Sequence, residues 1–425
     1  MENDIIMEKG IIVGVNTSDD DKSFLDEIEE LKALCLACEI EAVEIVTQNL
    51  PAFNSTTYVG KGKIDEIKMV INNLDVECVV FNDELTPAQI SNLEAALEIA
   101  VYDRTFVILE IFRRRAQTRE AQLQVELASL KYTLPRLTGL RKGLSRQRGT
   151  GGGFAHGRGA GETKLELDRR ITGDKIVAIK KELDTIVTLR QQQRIMRKKT
   201  NANIVCLVGY TNSGKSSTLN AILNHSKGIK KQVFEKDMLF ATLETSTRQV
   251  QTENNFKFLL TDTVGFVNKL PHQLIEAFKS TLEEIKEADL IIHVVDSTNE
   301  NYQKQIDTTN NVLKELGVQN IKTIYAFNKI DLINDYLYIK PEFKNSIRIS
   351  ATTGRNIDKL IDLIQKELEE DYLEETLTFD YKDQKIVEEL KAQGYVKDIK
   401  YLNNVTIQVK LPKYVLDKIK TSSNK

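Results

Sequence analysis

Four short apolar runs punctuate the N-terminal quarter of the chain, with helical-period stretches between them. Ile11-Ile-Val-Gly-Val15, Ala42-Val-Glu-Ile-Val46, Glu77-Cys-Val-Val-Phe81 and Ala100-Val-Tyr-Asp103 read as strands, and the stretch from Glu27 to Cys38 reads as an amphipathic helix. Thr86-Pro-Ala-Gln89 opens another helix, with a capping threonine, a proline at the first helical position and a capping-box glutamine. This alternation predicts a small α/β domain with a mainly parallel sheet over residues 1–105. From Phe106 the period changes. Phe112, Ala116, Leu123, Leu127, Leu130 and Leu134 recur at helical spacing, and so do Ile176, Ile179, Leu183, Ile186 and Leu189. Arg190 takes the next heptad place, so the second seam frays there. Two antiparallel helices packed as a coiled-coil hairpin are predicted over 106–200, the first stopped by Pro135.

Beyond residue 200 the apolar runs are strand-length again: Ile204-Val-Cys-Leu-Val208, Phe258-Leu-Leu260 and Tyr325-Ala-Phe327. Each ends in polar residues of a particular kind. The first runs into Gly209-Tyr-Thr-Asn-Ser-Gly-Lys-Ser216, and a helix starts at Ser217-Thr-Leu-Asn. This strand–loop–helix setting is what the phosphate-binding pattern G-x-x-x-x-G-K-[ST] requires. Backbone N–H groups of Gly209, Tyr210, Thr211, Asn212, Ser213, Gly214 and the helix start through Ser217 would face phosphate oxygens. Lys215 would reach the β- and γ-phosphates, and the Ser216 hydroxyl would ligate Mg²⁺. Asp262-Thr-Val-Gly265 supplies a carboxylate that holds Mg²⁺ through water and a Gly265 N–H that senses the γ-phosphate. Asn328-Lys329-Ile-Asp331 follows, and the Asp331 carboxylate can accept from both N1–H and the N2 amino group of guanine. Adenine lacks that donor pair. Ser350 and Ala351, in Ile349-Ser-Ala-Thr-Thr-Gly354, would lie against the base. Four motifs in order predict a P-loop GTPase domain over 201–371 that binds GTP and GDP, similar to the translation-factor-like class. In Phe240-Ala-Thr-Leu-Glu-Thr-Ser-Thr-Arg248, Thr242 is the candidate for closing on Mg²⁺ and the γ-phosphate, with Thr245 and Thr247 as competitors. The catalytic set is thus Lys215, Thr242 and Gly265. The tail from 372 to 425 alternates strand, helix and strand and predicts a small α+β domain.

Phe266 stands where Ras-like enzymes carry a water-orienting glutamine. A phenyl ring makes no such hydrogen bond, so unstimulated hydrolysis should be slow; an apolar anchor for the switch is a compatible reading. Asn212 resembles the asparagine of potassium-stimulated GTPases, which adds K⁺ as a candidate cofactor.

Length allows roughly three domains, and a net charge of −3 argues against a uniformly basic nucleic-acid binder. No apolar run is long enough to span a bilayer, and no charged-then-apolar segment follows Met1, so the expected location is the cytoplasm. Cys35 and Cys38 fall on a helix without a second ligand pair at zinc spacing, and read as core residues. One stretch departs from the overall balance. Between Lys131 and Ala160 there are Arg136, Arg141, Lys142, Arg146, Arg148 and Arg158, no acid, and the glycine-rich run from Gly149 to Gly161. Arginines pair with phosphates and stack on bases, and glycines permit close approach. A basic loop over 135–161 on a helical hairpin is a candidate RNA probe; a solvated loop without a ligand is the alternative.

The chain resembles the HflX family of ribosome-associated GTPases. The resemblance rests on Tyr58-Val-Gly-Lys-Gly-Lys63, Asn82-Asp-Glu-Leu-Thr-Pro-Ala-Gln89, Arg115-Ala-Gln-Thr-Arg-Glu-Ala-Gln-Leu-Gln-Val-Glu-Leu-Ala128, Arg158-Gly-Ala-Gly-Glu-Thr163, Asp262-Thr-Val-Gly-Phe266 and Leu270-Pro-His-Gln-Leu-Ile-Glu-Ala-Phe278. It implies a cytosolic GTPase, monomeric when free, that docks on the large ribosomal subunit and splits stalled or stress-inactivated ribosomes, with hydrolysis driving release. A GTP-gated silencing factor and a large-subunit assembly GTPase remain the alternatives. Ala160 replaces the usual proline of the glycine-rich signature, and Glu244-Thr245 stand where Asp-Pro is common. The ATP use of some members is not carried over, since no second phosphate loop lies in the N-terminal region.

Overall fold

A computed structural model describes residues 7–18, 20–138, 158–199, 203–226, 246–271, 274–276, 284–318, 320–333, 343–370, 372–392, 395–401, 404–413, 415–417 and 419. Among these, residues within Met1–Gln192 and Asn268–Ser280 form one compact unit. Those within Gln193–Asp237, Glu244–Val267 and Thr281–Lys425 form a second.

The first unit begins with the predicted strand–helix alternation: β1 (Glu8–Asn16), α1 (Asp21–Ala37), β2 (Ile40–Asn49), α2 (Lys61–Leu74), β3 (Cys78–Phe81), α3 (Pro87–Leu97) and β4 (Ala100–Asp103). The strands pair in the order β2-β1-β3-β4, all parallel. Ile11, Val13, Val15, Val79 and Phe81 are buried against Ile64, Ile67 and Leu93 of α2 and α3. The capping box at Thr86 and Gln89 forms as the sequence predicts. Cys35 and Cys38 are buried free thiols, pushed up to about 12 by burial, and no metal-binding cluster occurs among the described residues.

The hairpin is shorter than its sequence pattern. α4 (Arg104–Arg115), capped by Asp103, buries Val107, Ile108, Leu109, Ile111 and Phe112 and packs on α1. Burial of so many successive positions makes it a core helix of the α/β domain, not the start of a two-helix seam. Ala116 then takes extended backbone, which breaks the helix. The hairpin proper is α5 (Arg119–Thr133) against α6 (Arg158–Lys199). Its seam is the predicted set: Leu123 and Leu127 pack with Ile179 and Leu183, flanked by Leu130, Ile176 and Ile186, while Leu189 is exposed. At about 2 kcal/mol for each buried aliphatic side chain, this seam outweighs the exposed Arg119–Glu182 pair.

In the second unit a six-stranded sheet runs β10-β9-β8-β5-β7-β6. Its elements are β5 (Asn203–Val208), α7 (Lys215–His225), β6 (Ser246–Gln251), β7 (Lys257–Asp262), β8 (Leu290–Asp296), α8 (Tyr302–Glu315), β9 (Lys322–Asn328), β10 (Ser346–Arg348) and α9 (Ile357–Leu368). β6 is antiparallel to β7, and the other pairs are parallel. The central strands are buried on both faces, which is why they read as unbroken apolar runs. A three-stranded antiparallel sheet, β11-β13-β12, completes the unit: β11 (Tyr372–Phe379), α10 (Gln384–Ala392), β12 (Val396–Tyr401) and β13 (Val405–Pro412). The Tyr372 hydroxyl accepts from Asn203 Nδ2 at 2.9 Å, and Lys410 pairs with Glu369 at 2.9 Å, tying this sheet to the larger one.

Candidate functional site

The loop from β5 to α7 has backbone that few sequences permit. Gly209 has φ 147°, and a Cβ there would lie 2.2 Å from the Val294 carbonyl oxygen. Gly214 has φ 89°, and a Cβ would lie 2.2 Å from Asn328 Nδ2. Both positions therefore require glycine. The loop ends at the N-terminus of α7, whose first-turn N–H groups have no carbonyl one turn back and carry the positive end of the helix dipole. That end faces the loop an anion would enter.

Lys215 is buried, and its Nζ donates to the carbonyls of Gly209 (3.1 Å) and Tyr210 (2.7 Å). Burial pushes its ammonium down to about 8, against the upward pull of Asp262. His293 is buried in β8 with its ring stacked on Tyr325; burial and then the Lys215 charge push it down to about 3, so it stays neutral. Ser216 Oγ donates to Asp262 Oδ2 at 2.7 Å. Hydroxyl and carboxylate oxygens so placed match the hard-oxygen donors that Mg²⁺ takes.

The Asp262–Gly265 turn lies on the phosphate loop. Phe266 N donates to the Gly209 carbonyl (3.2 Å), and Thr211 N donates to the Phe266 carbonyl (2.7 Å). A Cβ on Gly265 would be 2.9 Å from Thr211 Cα and 3.1 Å from Lys215 Nζ. The Phe266 ring is buried, so the anchor reading of this residue holds, and its side chain offers water no polar group.

At the base end, Asn328 Nδ2 donates to the Ser213 carbonyl at 3.0 Å, while its Oδ1 accepts from Ala351 N at 2.9 Å. Lys329, at φ 66°, pairs with Asp296 at 2.7 Å. Ser350 is buried and its Oγ accepts from Thr353 N, shaping the turn that carries Ala351. Asp331 lies exposed in a 3₁₀ turn, its carboxylate without a protein partner among the described residues. Asn212, at φ 57°, is exposed, and Ser217 is half-buried in the first turn of α7.

The remaining candidates divide. Thr242 and Thr245 lie outside the described residues, whereas Thr247 is in β6 with its hydroxyl 3.0 Å from that of Thr261. Arg141, Lys142, Arg146 and Arg148 also lie outside. Arg158 opens α6, so the glycine-rich signature begins a helix instead of continuing the loop, and nothing is described of its side chain. Arg136 requires a correction. Expected as an RNA contact, it is an internal group of the first unit: its guanidinium stacks on Tyr132 at 3.5 Å, donates to the Tyr132 and Leu85 carbonyls, and pairs with buried Asp103. That carboxylate also accepts from Leu85 N, Phe106 N and the Tyr132 hydroxyl, so Arg136 neutralises the hub that joins α5 to the sheet. The structure adds participants that sequence reasoning missed: the Val294 carbonyl under Gly209, Asp296 beside Lys329, and Thr263, whose hydroxyl donates to Leu207 O at 2.6 Å. Asp296 was findable as the polar end of an apolar strand.

A doubly constrained phosphate loop, a carboxylate beside its serine and an Asn-Lys-x-Asp turn against the same loop define a P-loop GTPase. Sequence comparison agrees: three family models match in succession, described as GTP-binding GTPase N-terminal (residues 25–113), GTP-binding GTPase Middle Region (115–197) and 50S ribosome-binding GTPase (204–329). The GTPase HflX of Lacrimispora saccharolytica is 46% identical over 374 residues, covering 87% of this chain and 85% of its own length. That of Caldanaerobacter subterraneus subsp. tengcongensis is 44% identical over 362 residues, covering 85% and 81%. A GTP-binding protein from Sulfolobus solfataricus, solved in complex with GDP, is 25% identical, with a TM-score of 0.43 over 85% of this chain and 99% of its own. The chain belongs to the HflX family, and it is a GTPase that binds guanine nucleotide. Among the described residues no helix is long and apolar enough to cross a membrane.

The state of Lys215 makes nucleotide binding pH-dependent. Without nucleotide, its pKa of about 8 leaves it charged below that pH and increasingly neutral above. Bound phosphates favour the ammonium, so binding above pH 8 takes up a proton. GTP affinity is expected to be level near pH 7 and to fall about tenfold by pH 9. Calorimetry at both pH values, in buffers of different ionisation heat, reads the affinity and the proton uptake together. A flat profile would refute the assignment.

Proposed function

We propose that this chain is a GTP-driven factor that binds the large ribosomal subunit and splits stalled or stress-inactivated ribosomes, hydrolysis driving its release. The observation that carries this reading is Gly265, resting on the phosphate loop beside Lys215, where a γ-phosphate would enter. The match of residues 204–329 to a family described as 50S ribosome-binding GTPase supports the choice of partner. Ser216 and Asp262 would hold Mg²⁺, joined by Thr242, and the ion supplies neutralisation of charge on the β- and γ-phosphate oxygens. Asn212 is the residue that would make K⁺ matter. Lys215 stabilises the leaving phosphates, and the Gly265 N–H reports on whether the γ-phosphate is still there. With Phe266 buried, hydrolysis is slow until the ribosome supplies the group that orients water. The protein acts in the cytoplasm and is monomeric when free.

Sedimentation of vacant ribosomes with the protein and GTP, a non-hydrolysable analogue or GDP tests the reading. Free subunits with GTP and the analogue, but not with GDP, are expected. Intact ribosomes carrying bound protein would favour silencing, and association with immature subunits alone would favour assembly. Replacing Arg141, Lys142, Arg146 and Arg148 together by glutamine should weaken ribosome binding at least about tenfold in moderate salt, through lost phosphate contacts. GTP affinity should be unchanged. Full splitting by that variant would remove the loop as an RNA probe.

A further inference from the structure

The antiparallel pairing of β6 with β7, inside the second unit, sets Ser246 directly opposite Asp262. Directly opposed residues project to the same face of a sheet, with Cβ atoms about 4.5–5.5 Å apart. Here that face is the one turned toward α7. Val250, Phe258 and Leu260, in phase with Ser246 and Asp262 along their strands, are buried with Leu219, Ile222 and Leu223 of that helix. Ser216, in the first turn of α7, meets Asp262 from the same side, Oγ to Oδ2 at 2.7 Å. The side chains of Ser216, Asp262 and Ser246 therefore share one end of one face.

Ser246 differs from the hydroxyls around it. Its Oγ is buried and has no hydrogen-bond partner among the described residues. Thr247, on the opposite face of the ladder, has its hydroxyl 3.0 Å from that of Thr261, and Thr263 Oγ1 donates to Leu207 O at 2.6 Å. Burying a hydroxyl unpaired is costly, and an alanine would fill the same place in the strand without that cost. The hydroxyl therefore calls for a polar partner that those residues do not supply. The strand also begins shortly after Thr242, the remaining candidate for the ion, so Ser246 stands where the chain passes from that segment into the sheet. A serine and an aspartate at this separation can both reach one water molecule between them.

We propose that Ser246 is a positioning residue for the metal: its hydroxyl holds the water through which Asp262 addresses Mg²⁺. The proposal rests on the reading above, which gives the ion to Ser216 and Asp262. Mg²⁺ gives up its waters reluctantly and keeps several of them in protein sites. A water on a cation turns its oxygen to the ion and has two hydrogens to give. The Asp262 carboxylate takes one, and the Ser246 oxygen, an acceptor with free lone pairs, takes the other. Outer groups of this kind orient what touches the metal and so set its affinity. The contacts of the phosphate loop and the base turn do not pass through Ser246, so the nucleotide's own hold should be indifferent to it.

The test follows release of a fluorescent GDP from the full chain as free Mg²⁺ is varied. The midpoint of that curve reports the affinity of the complex for the ion. In Ser246→Ala the midpoint should rise about tenfold, while release in excess EDTA stays within about twofold of the parent. Ser246→Thr keeps a hydroxyl at the same place and should match the parent midpoint. An unchanged midpoint in Ser246→Ala would overturn the proposal. So would release in EDTA that quickens by the same factor, since a loosened sheet edge produces that without any metal. A threonine variant that behaves like the alanine one would also overturn it. Failure of the underlying reading looks different: the parent chain would bind no GDP, or would release it at a rate indifferent to Mg²⁺, and both claims would fall.

Discussion

Truncating Lys215 to alanine should raise the Kd for GTP by about two orders of magnitude. The argument is electrostatic. The ammonium sits buried on the Gly209 and Tyr210 carbonyls, and burial holds its pKa near 8, a shift from 10.5. That shift corresponds to roughly 3 kcal/mol against the charged form. Bound phosphates would relieve the penalty, because they add anionic charge beside the cation to the pull of Asp262. Losing one member of such a buried charged contact costs roughly 2–5 kcal/mol, and each 1.4 kcal/mol is about tenfold in affinity. The nucleotide-free fold should be affected far less, since the same burial disfavours the charge there. Fluorescent-nucleotide titration, with thermal melts of the nucleotide-free protein as control, separates the two. Unchanged affinity in a variant that melts like the parent would sink the site assignment.

The second large effect lies at the other end of the nucleotide. Asp331→Asn should lower GTP affinity by roughly three orders of magnitude, because an amide presents a donor to the guanine amino group where a carboxylate presents an acceptor. The same change should favour a base carrying a carbonyl at C2, whose oxygen accepts from the new amide while N1–H still donates to its oxygen. Xanthosine triphosphate is that base in nucleotide form. Asp331 is exposed in its 3₁₀ turn and its carboxylate has no partner among the described residues, so the variant should fold normally. Competition titrations with GTP, xanthosine triphosphate and ATP read the outcome. A variant that still prefers GTP would place the base elsewhere.

What could be read in advance was whatever local chemistry fixes. The phosphate loop was legible because Gly209 and Gly214 occupy backbone conformations that few other residues tolerate, and Lys215 and Ser216 follow at a set spacing. The capping box at Thr86 and the Leu123–Leu183 seam were legible for the same reason: near neighbours or a strict period determine them. Long-range partners were not. Arg136 looked like one more cation in a basic run, since nothing near it in sequence announces that Asp103 waits 33 residues earlier. The period from Phe112 to Leu123 continued across Ala116, yet α4 is buried on too many sides to serve one seam. Lys269 reads as an ordinary turn lysine until Glu27 and Asp83 are brought to it.

Asn328 reaches in two directions, to the Ser213 carbonyl of the phosphate loop and to the Ala351 N–H of the base turn. One amide therefore ties the phosphate loop to the turn that carries Ala351, and on the reading proposed above a guanine nucleotide would be held as a chelate. A base slipping from Asp331 would then stay tethered through its phosphates at high effective concentration and rebind before it could escape. Spontaneous departure would require both halves to open together. A partner that hastens exchange need not touch the nucleotide at all: drawing away the strand end that carries Asn328 would slacken both grips at once.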